Sequence, residues 1–487
     1  MTTSAFPNGP GGSTTALRIN NWVGTSQTFA YINSFSYRTD RFYSLYGNAA
    51  YTYLSKYVLS GSLRTDASNL ISDDPKYRYA PFWSVGGSWH LGRENFLKDN
   101  NWIDRLILRL TYGYNGNVDT STAFMPLISM GTALNQYTQG YTATISSYGN
   151  PTLRWEKTGT WNVGVDYSLF NGRLFGQIEA YNKNSKDLIA SISIPAINGT
   201  TSQKFNNAAM TNQGIEIEVG TQQNLYGKKI VWKGNVNASY NQNKITDLFI
   251  AAFDGATLTS TSPVYVEGYN ANTLWTFAYN GVKNLGTADS PNWQPTIKGV
   301  DGASFDFGAW TSGEATEFCV PMGTTVAPWL LGVTNSFKIY DFDFSFIITG
   351  KFGHVFKRES FNYPPAWGDR VLPNSKLNEV LNGDPMKIVP LPMNGPIEGR
   401  YYFWDRFYPY LDYLVENAGH IRFQEVNLTY TLPSPLARKV GLNVLQVYGQ
   451  ANNLSSIYFN KFNEDPEFPA GSMKPTPSVT LGFKVTF

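Results

Sequence analysis

The sequence predicts an all-β protein, a transmembrane antiparallel β-barrel, and three observations lead to that prediction. Apolar residues alternate with polar or small ones in many segments, as from Trp161 to Leu169, which gives a strand one apolar and one wet face. Each arm of the hairpin over 150–189 runs about ten residues, the length that crosses a bilayer and longer than most strands of soluble sheets. The chain is 15% aromatic and only 15% charged, whereas soluble domains are about a quarter charged.

Composition excludes several other classes. A net charge of +2 without a long basic run argues against a nucleic-acid surface, and no apolar run approaches the roughly eighteen residues of a transmembrane helix. Cys319 is the single cysteine, which excludes an internal disulfide framework or a cysteine-built zinc site. The N-terminus lacks the basic start and apolar segment of a signal peptide. Because a barrel protein must be exported, we expect its signal to lie upstream of this chain.

Alternation predicts the strands in order. Asn171-Gly172 is a pair typical of a type I′ turn and joins the two arms of the hairpin over 150–189. The stretch 1–41 is predicted as a loop or weak strand leading in, and 42–487 as the barrel portion. The wall strands are predicted near 45–53, 57–66, 83–91, 106–114, 160–169, 173–189, 215–219, 232–240, 331–339, 342–348, 426–432, 445–451 and 479–487.

Connections are predicted to alternate between short and long. Short turns are expected near Ser55, Asn171, Gln223, Asp341 and Pro433, with long polar loops such as 117–154 and 190–214 between hairpins. Bacterial barrels have short periplasmic turns and long extracellular loops. Strand direction then requires that 244–327 contain either no membrane crossing or two, and a large outer loop is slightly favoured. The total is about thirteen to fifteen antiparallel strands.

The same residues resemble a known family, the SusC/RagA-like TonB-dependent transporters. The hairpin NPTLRWEKTGTWNVGVDYSLFNGRLFGQIEAYNKNSKDLI is similar to theirs in its entry, its N-G-R-L turn and its Y-N-K exit. Further segments resemble the family in order from about Leu45 to Phe487: LSKYVLSGSLRTDAS, APFWSVGGSWHLGRENF, LRLTYGYNGN, TNQGIEIEV, HIRFQEVNLTYTLP and GQANNL. One departure is Trp83, which stands where the family often has Pro-Ser.

The resemblance implies a 22-stranded barrel with an N-terminal plug, of which this chain is the C-terminal portion. It implies import of oligosaccharides or peptides across the outer membrane of a Gram-negative bacterium, driven by TonB. The implied partners are a SusD-like surface lipoprotein, TonB acting through an N-terminal part, and the remaining barrel half and plug. The plug and the TonB-contacting segment have no counterpart in this chain.

No enzymatic motif is present, so the sequence predicts no enzyme and no cofactor. His90, His354 and His420 lie far apart without metal-ligand spacing, which favours structural roles. The acidic groups Asp73-Asp74 and Glu464-Asp465-Glu467 leave a loop-bound calcium ion as an alternative to a solvated outer loop, and the loop is favoured. NEDPEF also resembles a D-P-E segment of the family.

Candidate contacts with a solute are of two kinds. Charged side chains at inward positions are the first kind, with a generic wet lumen as the alternative: Arg64, Asp66, Glu216, Glu218 and Lys233. Loop tryptophans are the second kind, with anchoring at the membrane interface as an equally favoured alternative: Trp275, Trp293, Trp310, Trp329, Trp367 and Trp404. Phe487, a terminal aromatic on an alternating strand, resembles the signal read by the barrel assembly machinery.

Three functions are therefore weighed. Import through a SusCD-like complex is the leading hypothesis, and a passive porin or adhesin-type barrel is the alternative. A soluble β-propeller enzyme would need blade repeats of about forty residues, which the sequence lacks. Because half a barrel would leave two unpaired strand edges in lipid, we expect these strands to pair with a preceding segment.

Overall fold

The structure is a computed structural model, in which the described residues are 17–20, 26–29, 39–120, 122–194, 197, 202–227, 229–248, 254–260, 264–284, 287–289, 293–299, 304–305, 315–359, 410–439, 441–468 and 472–486.

Strands dominate these residues. In chain order they are β1 Leu17–Asn20, β2 Ser26–Phe29, β3 Phe42–Tyr53, β4 Tyr57–Ser68, β5 Tyr79–His90, β6 Ile103–Asn117, β7 Leu127–Leu134, β8 Tyr141–Ser147, β9 Glu156–Leu169, β10 Leu174–Ser193, β11 Ser202–Tyr226, β12 Ile230–Leu248, β13 Thr273–Phe277, β14 Tyr279–Asn284, β15 Trp293–Lys298, β16 Ser304–Phe305, β17 Cys319–Thr324, β18 Trp329–Ile339, β19 Phe342–Phe352, β20 Val355–Lys357, β21 Val415–Asn417, β22 His420–Thr431, β23 Val444–Tyr458 and β24 Ser478–Thr486. The α-helices are short: α1 Pro75–Arg78, α2 Gly255–Leu258 and α3 Ser434–Lys439. Single 3-10 turns occupy Leu91–Arg93, Ala315–Glu317 and Asp412–Leu414. Among the helices of the described residues, none has the length and apolarity needed to cross a membrane.

Thirteen strands form one antiparallel sheet, here called the wall. Its order follows the chain from β3 to β24, with β7, β8, β13–β17, β20 and β21 left out of it. All thirteen wall strands coincide with the strands predicted from alternation, and the count lies within the predicted range. The sheet is open, because β3 and β24 are its two edges and do not pair with each other.

The register gives the wall two chemically different faces. Val163 pairs with Leu110 on β6 and with Ala180 on β10. At the next position of β9, which faces the other side of the sheet, Gly164 pairs with Arg109 on β6 and with Glu179 on β10. The side chain of Trp161 is 39% exposed, and Val163 is also outside any buried core. Period-two patterning thus places an apolar face outward and a polar face on the other side, as a barrel wall in lipid requires.

Aromatic side chains border the apolar face at both ends. Near the short turns, Trp232 stacks with Phe337 at a ring-centroid distance of 6.4 Å, and near the long connections Tyr240 contacts Trp329 at 4.5 Å. The step from Trp232 to Tyr240 spans about 27 Å along β12 at ~3.4 Å per residue. With a tilt of about 40° this becomes roughly 20 Å across the membrane, close to the apolar band of known barrels.

The short connections confirm the predicted alternation and correct its details. The Asn171-Gly172 connection is a four-residue turn, 170–173, since Leu169 pairs with Leu174; Phe170, Asn171 and Gly172 all have positive φ. It is not a two-residue type I′ turn. The carboxylate of Asp104 accepts the backbone N–H groups of Asn171 and Gly172, which explains the larger loop. The turn predicted near Gln223 lies between Tyr226 and Ile230, which pair with each other, and the Pro433 connection contains α3.

The long connections lie at the opposite end of the wall. The predicted loop 190–214 is mostly strand, because β10 and β11 continue their pairing as far as Ser193 and Ser202. The connection over 118–155 carries the β7–β8 hairpin. Between β12 and β18, which pair directly, no described residue forms a wall strand. The large outer loop favoured over two extra crossings is therefore confirmed.

Buried cores are confined to that same end. The largest, here called the loop core, joins the connection over 249–328 to the segment 410–414 and contains Leu258, Val266, Trp275, Phe277, Ile297, Ala315, Phe318, Cys319, Leu411 and Leu414. A second packs Phe82 against Trp155 at 5.8 Å, with Ile71, Ala80 and Leu153. A third contains Ala190, Ile245 and Leu248.

Candidate functional site

The polar face of the wall carries a group of carboxylates around one arginine. The guanidinium of Arg109 donates to both oxygens of Asp166, at 2.8 and 2.9 Å, and to Glu179 at 2.6 Å. These residues come from three successive strands and meet because the register aligns them. The group carries two negative charges for one positive charge.

Glu216 and Glu218 extend this acidic surface onto β11. Glu179 stands opposite Glu216 in the β10–β11 pairing, and Glu218 accepts a hydrogen bond from Asn235 at 3.0 Å. A cavity of about 510 Å³ lies beside them, within the size range of small-ligand sites. Its polar lining comprises Gln177, Glu216, Glu218, Asn237, Ser239, Thr349 and Lys351. Lys233, the other predicted inward charge of this region, is exposed on β12.

Tyr181 is a polar-face residue that the sequence reasoning missed. Its ring lies directly over Gly214, where an added Cβ would come within 2.7 Å of the ring. The hydroxyl accepts a hydrogen bond from the Asn241 amide at 2.7 Å, and the same amide donates to Asn212 at 2.6 Å. The available signal was the glycine that faces Tyr181 across the register. The Lys183 ammonium lies over this ring, 4.9 Å from its centroid, so the group of hydroxyl, amides and ammonium is suited to hydrogen bonding with a polar solute.

Arg64 and Asp66 lie together near the long connections. The Arg64 Nε donates to both carboxylate oxygens of Asp66 at 2.8 Å, and its terminal nitrogen donates to the Ser44 hydroxyl at 3.1 Å. They line a cavity of about 600 Å³ with Phe82 and Trp155. The structure therefore places two of the predicted charged residues in one cavity, well separated in the wall from Glu216 and Glu218.

A second charged cluster, here called the ionic junction, ties two long connections, β19–β22 and β23–β24, to the wall. Its carboxylates are Glu464, Asp465 and Glu467, and its cations and partners are Lys351, His354, Arg358, His420, Arg422 and Tyr458. Arg422 donates to Asp465 at 2.7 Å and to Glu467 at 2.9 Å. Arg358 pairs with Glu464 at 2.7 Å. These three of the five carboxylates considered as calcium ligands are thus engaged by cationic side chains. Of the other two, Asp73 pairs with Arg78, and Asp74 accepts a hydrogen bond from the Lys76 backbone N–H at the start of α1.

The fold brings two of the three histidines together, which their sequence spacing did not indicate. The rings of His354 and His420 are 6.0 Å apart and both are buried. Burial lowers the pKa of His354 to about 4, helped by His420 and Lys351 and opposed by Glu467. Within the part of the chain that the structure describes, no group of three or more His, Cys, Asp or Glu side chains is arranged to hold a metal.

Comparison with known proteins places the chain in a family. Residues 6–346 match the family model described as TonB dependent receptor-like, beta-barrel. The chain belongs to this TonB-dependent receptor β-barrel family. The resemblance identified from the sequence motifs is thereby confirmed, and proteins of this family are outer-membrane proteins of Gram-negative bacteria.

Curated relatives of this barrel family are similar over most of the chain. TonB-dependent receptor P26 of Formosa agariphila is 27% identical, with 97% of this chain and 48% of the relative covered. TonB-dependent receptor SusC of Bacteroides thetaiotaomicron is 26% identical, with 80% of this chain and 37% of SusC covered. The chain thus spans about half the length of such relatives or less. Among solved structures, the RagAB peptide importer in its closed-closed state shares the fold, with a TM-score of 0.69 at 22% identity over 92% of this chain and 48% of that one.

Three of the six tryptophans predicted as solute contacts lie within the described residues, Trp275, Trp293 and Trp329. Trp275 is 3% exposed in the loop core, so its ring would contact a solute only if that core opened. Trp329 is 51% exposed on the apolar face beside Tyr240, which is the position of an interface ring. The backbone of Trp293 pairs with Asn284. Trp310, Trp367, Trp404 and Phe487 lie outside the described residues.

Proposed function

We propose that this chain is the C-terminal barrel portion of a transporter that imports oligosaccharides or peptides across the outer membrane, driven by TonB. The observation that supports the proposal most strongly is the open thirteen-stranded wall, with an apolar face outward and an acid- and amide-rich face on the other side, in a chain of the TonB-dependent barrel family.

The open wall requires further strands. The edge strands β3 and β24 carry rows of backbone groups that need partners within lipid, where each unsatisfied group costs several kcal/mol. We propose that a preceding segment of a longer polypeptide supplies the remaining strands, the plug and the contact with TonB. A SusD-like lipoprotein would cover the end of the barrel that carries the long connections.

The polar face binds a solute without catalysis in this proposal. Carboxylates, amides and the Tyr181 ring offer weak contacts at many points, which suits passage of a hydrated solute because tight binding at one site would slow its release. No covalent bond is made or broken. Displacement of the plug would open the path along this face. RagAB is named a peptide importer, and SusC is the curated relative described above.

The test is solute uptake by the source bacterium after deletion of the gene, with complementation by the intact gene. We expect growth on one oligosaccharide or peptide, supplied as sole nutrient, to be lost on deletion and lost again when TonB is removed from the complemented strain. The double variant Glu216→Gln, Glu218→Gln should lower uptake while the amount of barrel in the membrane stays unchanged. Uptake that persists without TonB would instead support a passive porin, and unchanged growth on every solute would contradict import.

A further inference from the structure

An apolar groove runs across the outer face of the wall near the short turns. It has a volume of about 460 Å³, and its lining includes Tyr51, Tyr53, Tyr57, Leu59, Trp89 and Leu110. Gly87 forms its floor, since Leu59 and Leu110 flank it in the register. An added Cβ at Gly87 would meet only the Val58 carbonyl oxygen, at 3.9 Å. The groove therefore exists because Gly87 has no side chain, whereas its neighbours on the same face do.

A cluster of hydrogen bonds closes the end of the groove that lies near the short turn. The carboxylate of Glu94 accepts bonds from the Tyr57 hydroxyl at 2.5 Å, from the Trp89 indole at 3.0 Å and from the Lys56 ammonium at 3.0 Å. These three hydrogen bonds lower the pKa of Glu94 to about 2, and the bond from Tyr57 has the largest effect. The carboxylate therefore stays ionised. Two rings of the groove, Tyr57 and Trp89, are thereby fixed in place.

One positive charge at this end has no acidic partner. The guanidinium of Arg93 is exposed and donates to the Ser55 carbonyl oxygen at 2.6 Å, and Ser55 lies in the turn that links Tyr53 to Tyr57. No carboxylate of the described residues forms an ion pair with Arg93. Lys56 and Glu94 form an ion pair with each other, whereas Arg93, beside the same turn, pairs with no carboxylate of the described residues and is available to an anion.

We propose that the groove binds one phospholipid of the periplasmic leaflet, with an acyl chain over Gly87 and the phosphate at Arg93. Short turns mark the periplasmic side of a bacterial barrel, so the groove opens towards that leaflet's headgroups. Arginine favours phosphate because its N–H donors match the phosphate oxygens two at a time. Tyr and Trp rings are typical of this depth, where one end of the ring is apolar and the other is wet.

The charge at the mouth selects the occupant. A protein partner would have to insert between lipids to reach Gly87, whereas an acyl chain is already present at that depth. An uncharged lipid would leave the Arg93 charge without a counter-ion. A further strand paired to β3 would lie beside Tyr51 and Tyr53, deepening the groove and leaving its floor open.

The experiment is native mass spectrometry of the intact transporter, purified in detergent and titrated with dioleoyl phosphatidylglycerol. We expect one retained lipid per barrel. Gly87→Leu fills the groove and Arg93→Gln removes the phosphate contact, and each should weaken retention about three- to tenfold, as expected for loss of a single charge-assisted contact or its packing. Gly61→Leu is the matched control on the same face of an interior strand, since an added Cβ there would meet only the Ser84 carbonyl oxygen, at 3.8 Å. Lys98→Gln removes an equal charge from the same connection, and both controls should retain the lipid.

Three results would overturn the proposal. One is retention that Gly87→Leu and Arg93→Gln leave unchanged. Another is equal retention of dioleoylglycerol, which has the same chains but no phosphate. The third is an equal loss in Lys98→Gln, which would indicate general attraction to positive charge. Arg93→Gln lies outside the wall strands, so it tests the proposal even if Gly87→Leu fails to assemble.

Discussion

The wall and the loop core are stabilised in different ways. In the wall, side chains such as Leu59 and Phe483 are 62% and 75% exposed on the apolar face, and the strands are joined by continuous backbone pairing. In the loop core, Phe277 and Ile297 have no exposed surface, and only short two- and three-stranded sheets support them. The wall thus uses lipid in place of a protein interior, while the loop core is stabilised by burial from water as in a soluble domain.

This difference predicts that the two regions can be weakened separately. Local free energies of opening in a protein range from near zero to the global value. A substitution in the loop core should open the outer loop and leave the wall assembled. A substitution on the apolar face of the wall should leave the loop core closed.

The largest effect is expected from Phe277→Ala. Phe277 packs against Phe318 with ring centroids 6.3 Å apart and pairs with Cys319 across β13 and β17, so truncation should cost the loop core about 3–5 kcal/mol. Burial raises the pKa of the Cys319 thiol to about 12, which makes it inert to alkylation while the core is closed. Because Cys319 is the only cysteine of the chain, the rate of maleimide labelling at pH 8 measures opening of this core directly.

The control for that variant is Phe342→Ala, the same change on the apolar face of the wall. Phe342 is 47% exposed and contacts Tyr430 at 4.8 Å, and lipid would replace the lost contacts. We expect Cys319 to stay unlabelled in Phe342→Ala and to react many times faster in Phe277→Ala. If Phe277→Ala also abolishes the heat-modifiable migration of the folded barrel, the two regions unfold together and the comparison is wrong.

A smaller effect is expected from Arg422→Met in the ionic junction. The substitution leaves Asp465, whose side chain is 2% exposed, without its main cation, and a buried unpaired charge costs about 2–4 kcal/mol after allowance for the partial exposure of Arg422. Hydrogen exchange over 459–468 should accelerate accordingly. Arg78→Met is the matched control, because the carboxylate it leaves behind, Asp73, is 67% exposed and such exposed pairs contribute roughly 0–1 kcal/mol. Equal acceleration in the segments around both sites would contradict the distinction.

The sequence predicted the wall well because the face of each wall residue follows from its nearest neighbours along the chain. Val163 and Ile178 could be assigned to one face from period two alone. The loop core could not be predicted in this way, since Phe277 and Leu411 meet only through folding of distant segments. Trp275 was considered as a solute contact for the same reason: a lone loop tryptophan carries no local sign of burial. The Tyr181 site likewise depends on register between strands, and the His354–His420 contact on the path of the connection after β19, neither of which composition and motif spacing determine.

The smallest effect expected is a pH dependence of the ionic junction. The folded pKa of His354, about 4, lies below its ordinary value of 6.5, so the unfolded segment binds a proton first and acid favours opening. Stability from neutral His354 is complete above pH 6.5 and declines by up to about 2 kcal/mol as the pH falls towards 4.

Burial acts to raise the pKa values of Asp465 and Glu467, but hydrogen bonds from Arg422, Tyr458 and Lys351 lower them. The net shift is downward in both, so each carboxylate is protonated at a lower pH than it would be in the unfolded segment. After correction for the intrinsic rate, hydrogen exchange over 353–359 should rise between pH 6.5 and 4.5 in the native protein and should not change with pH in His354→Gln. Exchange within β9 and β10 should stay unchanged in both proteins. A rise of equal size in His354→Gln would assign the acid response of the junction to another group.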